Sequence, residues 1–188
     1  MARLSRRQFL DSGAGAVAVG LAGCAGASSE AADTATETTV RETETRTSTP
    51  TAEPVHAGYE ATEVEVQTPG GRVLGSITAA IADTGQLRYT GLSDTAALPE
   101  DRGMLFVYSA VADRTFVMRE MDFGIDIVYA DAEGVITRIH HAPAPGPNED
   151  GDDQHYPGRG QYVLEVNEHW TTERGIEAGD VLAFSLPE

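Results

Sequence analysis

Three consecutive pieces decide the fold: Ile125-Asp126-Ile127-Val128-Tyr129-Ala130, then Asp131-Ala132-Glu133-Gly134, then Val135-Ile136-Thr137-Arg138-Ile139-His140. Two short runs rich in β-branched and aromatic residues flank four turn formers, with Gly134 placed to take a positive φ. This pattern predicts a β-hairpin over 125–140. Working outward, Thr62–Gln67 alternates, with Val64 and Val66 on one face. Arg72–Ala82 is a longer apolar-rich run in which Gly75 marks a bulge or bend. Met104–Tyr108, Thr115–Met118, Gln161–Asn167 and Val181–Leu186 read as the remaining strands. Helix is confined to a turn or two at Thr84–Ser93 and at Glu168–Gly175. Eight short strands at this spacing predict one mostly β domain over 60–188, a small barrel or sandwich with one or two short helices. The stretch His141–Arg159, rich in Pro, Gly and Asp, is expected to be a long mobile loop.

The chain carries 13 basic side chains, every one an arginine, against 30 acidic ones, for a net charge of −17. Such an acid surplus excludes a sequence-independent nucleic-acid binder, which needs clustered cations for phosphate. It also argues against docking on an anionic membrane face. Carboxylates hold water and cations at a surface, whereas the lysine stem exposes apolar area. A chain of 188 residues without lysine therefore resembles proteins of extreme halophiles, in which molar salt shortens the Debye length to roughly 3 Å and screens self-repulsion. An archaeal, salt-loving source is expected, rather than a mesophilic protein that is acidic by chance.

The first 59 residues read as an address and a stalk. Ser5-Arg6-Arg7-Gln8-Phe9-Leu10 places two arginines ahead of an apolar pair, and a weakly hydrophobic Gly/Ala stretch runs from Gly13 to Gly23. That order resembles a twin-arginine export signal over 1–23. The stretch closes on Leu21-Ala22-Gly23-Cys24, which resembles a lipobox, so Cys24 is expected to carry a lipid and to anchor the protein on the outer face of the cell membrane. The apolar stretch is well short of the ~20 residues a membrane span needs. With the only cysteine lipidated, disulfides, thiolate catalysis and thiolate metal sites are excluded. Over 24–59, threonine alternates with Glu, Ala and Arg, and aromatics are absent until Tyr59. Too little apolar surface is available there to offset chain entropy, so a disordered stalk is expected, with a Thr/Ser/Pro content that suits O-glycosylation.

The remaining chain is similar to the family known as domain of unknown function 192. The resemblance runs over about 110 residues in order. Gly91-Leu92 matches the family's Gly-Leu after a short helix, and Gly103-Met104-Leu105-Phe106 its Gly-Met-Leu-Phe strand. Phe116-Val117-Met118-Arg119-Glu120-Met121 stands where the family has Phe-Trp-Met-Lys-Asn-Thr. Asp126-Ile127, Asp131 with Gly134, Val163-Leu164-Glu165, and Gly175-Ile176 followed by Gly179-Asp180 complete the set. The resemblance implies a compact, mostly β domain, often exported or lipid-anchored, with no established reaction. Val117 in place of Trp, and Arg119-Glu120-Met121 in place of Lys-Asn-Thr, imply a changed ligand preference if that loop is a binding edge.

Candidate chemistry gathers around Met104, Met118, Arg119, Glu120, Asp126 and Glu165. Asp126, between two isoleucines in a strand, either faces solvent or is buried and needs a partner. Arg119 is the natural one, because a planar guanidinium grips a carboxylate in two places. The pair is then either a salt bridge pinning the loop to the barrel or the edge of a pocket where Arg119 meets an anionic ligand. The three methionines outside the leader, Met104, Met118 and Met121, read as core filler rather than a thioether copper site, since no His-Met spacing accompanies them. His140, His141 and His155 with Asp150, Asp152 and Asp153 lack EF-hand or zinc-motif spacing, and read as a solvated acidic loop. No nucleophile elbow, dinucleotide fingerprint or P-loop is present, so no catalytic residue, metal or cofactor is expected.

These observations converge on a lipid-anchored surface domain that binds a small ligand or another envelope protein, with Met118, Arg119, Glu120, Asp126 and Glu165 as the candidate binding residues. Two other classes stand beside it: a carboxylate- or metal-dependent extracellular hydrolase, and a passive structural component of the envelope. The address is testable by itself. Replacing Arg6 and Arg7 with lysine is expected to leave the protein inside the cell, read by fractionation, and undiminished secretion would refute the twin-arginine route.

Overall fold

The computed structural model describes residues 57–93 and 95–187. The twin-arginine segment, Cys24 and all of the stalk before residue 57 lie outside the described residues. The elements in chain order are β1 (Ala61–Gln67), β2 (Val73–Ala82), α1 (Gly85–Thr90), β3 (Arg102–Phe116), β4 (Ile125–Ala130), β5 (Ile136–Ala142), a 3₁₀ turn (Gly151–Asp153), β6 (Tyr156–Asn167), α2 (Trp170–Arg174) and β7 (Val181–Phe184). The strands form a single sheet in the order β5-β4-β6-β3-β2-β1-β7. All pairings are antiparallel except β2 with β3, which run parallel and are joined through α1. The sheet curls into a half-barrel whose two edges meet. Val135, just before β5, bridges Val181 of β7, and the Ile136 N–H donates to Asp180 O at 2.8 Å and the Leu182 N–H to Gly134 O at 2.8 Å.

The hairpin expected over 125–140 is present as β4 and β5. Gly134 takes φ 81, and Asp131 Oδ1 caps the turn by accepting from the Glu133 and Val135 amides at 3.0 and 2.9 Å. The bend expected at Gly75 is a bulge: Val66 pairs with Gly75 and Gln67 with Val73, leaving Leu74 extra. Seven strands are found where eight were expected. Met104–Tyr108 and the start of Thr115–Met118 are the two ends of β3, which runs unbroken past a wide bulge where Val107 opposes Tyr162 and Ala112 opposes Gly160. The loop after β5 is shorter than expected, because β5 reaches Ala142 and β6 starts at Tyr156. It is also docked. The Met118 N–H donates to Gly151 O at 3.0 Å, and a Cβ on Gly151 would run into the Met118 carbonyl oxygen.

Strand alternation sorts the apolar side chains into two cores. Val64, Val66, Ile77, Leu105, Val128, Ile136, Leu164, Val166 and Leu182 come from all seven strands and fill the inside of the curl, with Trp170 of α2 closing one end. Met104, Phe106, Ile125, Ile127, Tyr129 and Val163 point to the outer face, where Leu92, Leu98, Met118 and Met121 cover them. All six residues of β4 are buried, which is why that stretch reads as a nearly continuous apolar run. Met104 and Met118 are fully buried core residues, in keeping with their reading as filler.

Candidate functional site

The two buried carboxylates expected in one cluster stand on opposite faces of the sheet. Asp126 pairs across β4 and β6 with Val166, whereas Glu165 pairs with Ile127. Because side chains alternate with a period of two, Asp126 turns inward with Val166 and Val128, and Glu165 turns outward with Ile127 and Val163.

Asp126 is wholly buried, and its partners are not Arg119. Its Oδ1 accepts from His141 Nδ1 at 2.6 Å and from the His169 N–H at 3.0 Å. Its Oδ2 accepts from the Thr171 N–H at 2.9 Å and the Thr171 hydroxyl at 2.6 Å. The expected Asp126–Arg119 bridge is thus overturned, for a simple geometric reason. Arg119 lies in the β3–β4 loop on the outer side, while Asp126 faces the inner end closed by α2. The group works as an anchor for α2: it holds His169 in a left-handed conformation, φ 71, and so sets the first turn. The partner residues His169 and Thr171 are more than forty positions away, and no local pattern announced them.

On the outer face, a cleft of about 200 Å³ opens between α1 with its following turn, the bulge of β3, and the start of the β3–β4 loop. Phe106, Phe116, Val117, Met121 and Ile125 supply the apolar part of its walls, which polar surface matches in extent. Gly91, at φ 53, brings the end of α1 close over the Phe106 ring. Arg88 of α1 and Arg119 of the β3–β4 loop both line the cleft. Arg88 donates to Asp83 O and, at 2.8 Å, to Val107 O, and its guanidinium lies 4.8 Å from the Tyr108 ring centroid. Arg119 donates to Tyr89 O and stacks 4.2 Å from the Tyr89 centroid, tying the end of α1 to the β3–β4 loop. Arg114 lies 3.3 Å from the Tyr108 centroid.

Glu165 is the only carboxylate among the cleft's lining residues. It is 4 % exposed, and among the described residues it has no hydrogen-bond or ion-pair partner. Desolvation pushes its carboxyl up to about 8, since burial disfavours the charged form. Burial likewise raises the Tyr108 hydroxyl, with Arg114 and Arg88 acting against it.

Of the expected site residues, Arg119 and Glu165 thus meet in the cleft. Met118 is in the core beneath it, Glu120 is exposed on a strained backbone at φ 54, and Asp126 serves the other face. Arg88, Tyr89 and Tyr108 were missed. Tyr108 gains its position only from the β3 bulge, which re-aims the strand. Among the described residues no three His, Cys, Asp or Glu side chains converge as a metal site, and no helix is long and apolar enough to cross a membrane.

The chain belongs to the family DUF192, described as an uncharacterized ACR, whose model matches residues 65–184. Two solved structures share the fold. One, from Sinorhizobium meliloti 1021 and provisionally described as a transcription regulator, is 24% identical with a TM-score of 0.62, covering 69% of this chain and 97% of its own. The other, a protein of unknown function from Novosphingobium aromaticivorans DSM 12444, is 25% identical with a TM-score of 0.59, covering 71% of this chain and 94% of its own. No curated protein matches the chain. Several positions that carry the family resemblance line the cleft, Gly91-Leu92, Phe106, Phe116 and Glu165, together with Arg119, which stands where the family has Lys.

Two substitutions separate the roles of the carboxylates. Asp126→Asn would turn an acceptor into a donor facing N–H and O–H groups, and is expected to destabilise the fold by about 3 kcal/mol in urea titration. Glu165 behaves oppositely. Burial pushes its carboxyl in the folded protein up to about 8, from an ordinary value of 4.5. The stability this contributes is full below the lower value and is lost as pH rises toward the upper one. Glu165→Gln, which has no charge to bury, is expected to gain on the wild type in melting temperature between those two pH values. A constant difference would mean that the buried charge is compensated.

Proposed function

We propose that the protein is a binding module of the cell surface: exported by the twin-arginine route, held to the outer face of the membrane by a lipid on Cys24, and offering the outer-face cleft to a small ligand. The address and anchor rest on the order Arg6-Arg7, Gly/Ala stretch, Leu21-Ala22-Gly23-Cys24. The acid-rich, lysine-free composition supports a halophilic, archaeal setting. The folded unit over 60–188 stands at the end of the stalk.

One observation carries the binding reading: a buried carboxyl group, Glu165, faces an open cleft without a protein partner. Its oxygens open on the cleft rather than being sealed in the core, so a molecule bound there can complete a group that the fold leaves without a partner. Several family-resemblance positions from four separated segments around the same cleft support this reading. The cleft also bears on the hydrolase alternative, since a two-carboxylate mechanism has only Glu165 to use there.

A thermal-shift screen of small carboxylates, amines, sugars and divalent cations tests the reading. A ligand at about a hundred times its Kd stabilises by about 2.7 kcal/mol. At least one class is expected to raise the melting temperature of the wild type and not of Glu165→Leu. A flat response across the panel, with both proteins folded, would point instead to a protein partner or a structural role.

A further inference from the structure

The charge around the cleft runs against the charge of the molecule. The chain is −17 overall, and among the described residues Arg102, Arg159 and Arg174 each meet a carboxylate. Neither Arg88 nor Arg119 does; their contacts are to backbone oxygens and aromatic rings. A guanidinium has five N–H groups in a fork that matches an oxyanion. The contacts to Asp83, Val107 and Tyr89 leave most of those groups unused. The lining of the cleft therefore combines two guanidinium groups, aromatic and aliphatic side chains, and one buried carboxyl group.

Three kinds of ligand meet this arrangement differently. A cation would share the cleft with two guanidinium groups and have to draw the proton from a buried acid. A neutral molecule would leave both arginines shielded from water with no counter-charge. An anion satisfies the arginines, and leaves Glu165 in its neutral form, with one hydrogen to donate. A volume of about 200 Å³ lies below the ~300–1,000 Å³ of sites for drug-sized molecules, and the walls of Phe106, Phe116 and Tyr108 ask for an organic body rather than a bare inorganic ion.

We propose, building on the binding reading above, that the occupant is a small organic carboxylate whose charged end meets Arg88 and Arg119 and whose other end carries an uncharged oxygen that accepts a hydrogen bond from Glu165. The ionisable groups around Glu165 are Tyr108 from β3, Tyr129 from β4, Arg88 from α1 and Arg119 from the β3–β4 loop. Tyr129 is already committed, donating to Tyr156 O at 2.6 Å. Burial favours the neutral acid to about pH 8, so the donor is present in ordinary neutral conditions.

The test is calorimetric titration of the full chain, in dilute and in molar salt, with two sets of probes matched in shape and differing in charge. One set is 4-acetylbenzoate, 4-acetylbenzamide and 4-acetylbenzylamine; the other is hexanoate, hexanamide and hexylamine. The carboxylates are expected to bind at least about tenfold tighter than the amides, the scale of one charge-assisted hydrogen bond, and Arg119→Ala to remove that advantage. Between about pH 8 and about pH 9 the affinity of 4-acetylbenzoate is expected to fall roughly fivefold, in step with the neutral fraction of Glu165. The same affinity should stay level in Glu165→Gln, whose amide still donates and does not titrate. Amines binding as well as or better than carboxylates, or a wild-type affinity indifferent to pH, would overturn the ligand class while leaving a working binding cleft. Binding by no probe, to protein that still melts cooperatively, would overturn this proposal along with the cleft reading beneath it.

Discussion

A single wholly buried carboxylate holds one end of this molecule together. Asp126 accepts four hydrogen bonds, from the ring of His141 on β5, from two backbone amides and from the hydroxyl of Thr171. Its four acceptor positions are all used, so the cost of burying the charge is met by charge-assisted contacts. Through them β4, β5 and α2 become one unit. The five-residue helix could not persist alone. Held by Asp126, it delivers Trp170 into the inner core, where the ring is 3 % exposed beneath the Arg174 guanidinium, 4.6 Å away. The half-barrel thereby gains a closed end.

The outer face answers with the opposite device. Glu165 is buried but reaches the cleft, has none of the partners of Asp126, and lies one residue out of step with it in the β4–β6 ladder. That offset separates a carboxylate that supports the fold from one that faces the cleft. Burial without compensation holds a proton on Glu165, so the group enters the cleft as a donor rather than as a charge. The arginines nearby are positioned by aromatic faces and carbonyl oxygens, contacts that orient a guanidinium without neutralising it.

Most of the architecture was legible in the chain. The hairpin of β4 and β5, the capped turn at Asp131 and the bulge near Gly75 all follow from local patterns, and β4 was read with its true limits. The gap between the two strand readings fell on residues 109–114, where Ser109 and Ala110 are exposed at the bulge and break the run of large β-forming side chains. The site was half legible. Arg119 and Glu165 were named, and they meet; Asp126 was named for the right chemistry and given the wrong partner. Its true partners depend on how α2 folds back over the barrel end, and Arg88 and Tyr108 come together only because the β2–α1–β3 crossover lays α1 over β3. Those are long-range facts of topology, invisible to a period of two or of 3.6 residues.

The place of the first strand has a mechanical meaning. β1 lies between β2 and β7, paired over Ala61–Gln67 on one side and over Val64–Gln67 on the other. Antiparallel ladder bonds stand perpendicular to their strands. A pull applied through the chain ahead of residue 61 runs along β1 and stresses both ladders at once, in shear, instead of peeling them apart bond by bond. A domain hung by its N-terminal end would thereby be gripped along a strand that is paired on both sides.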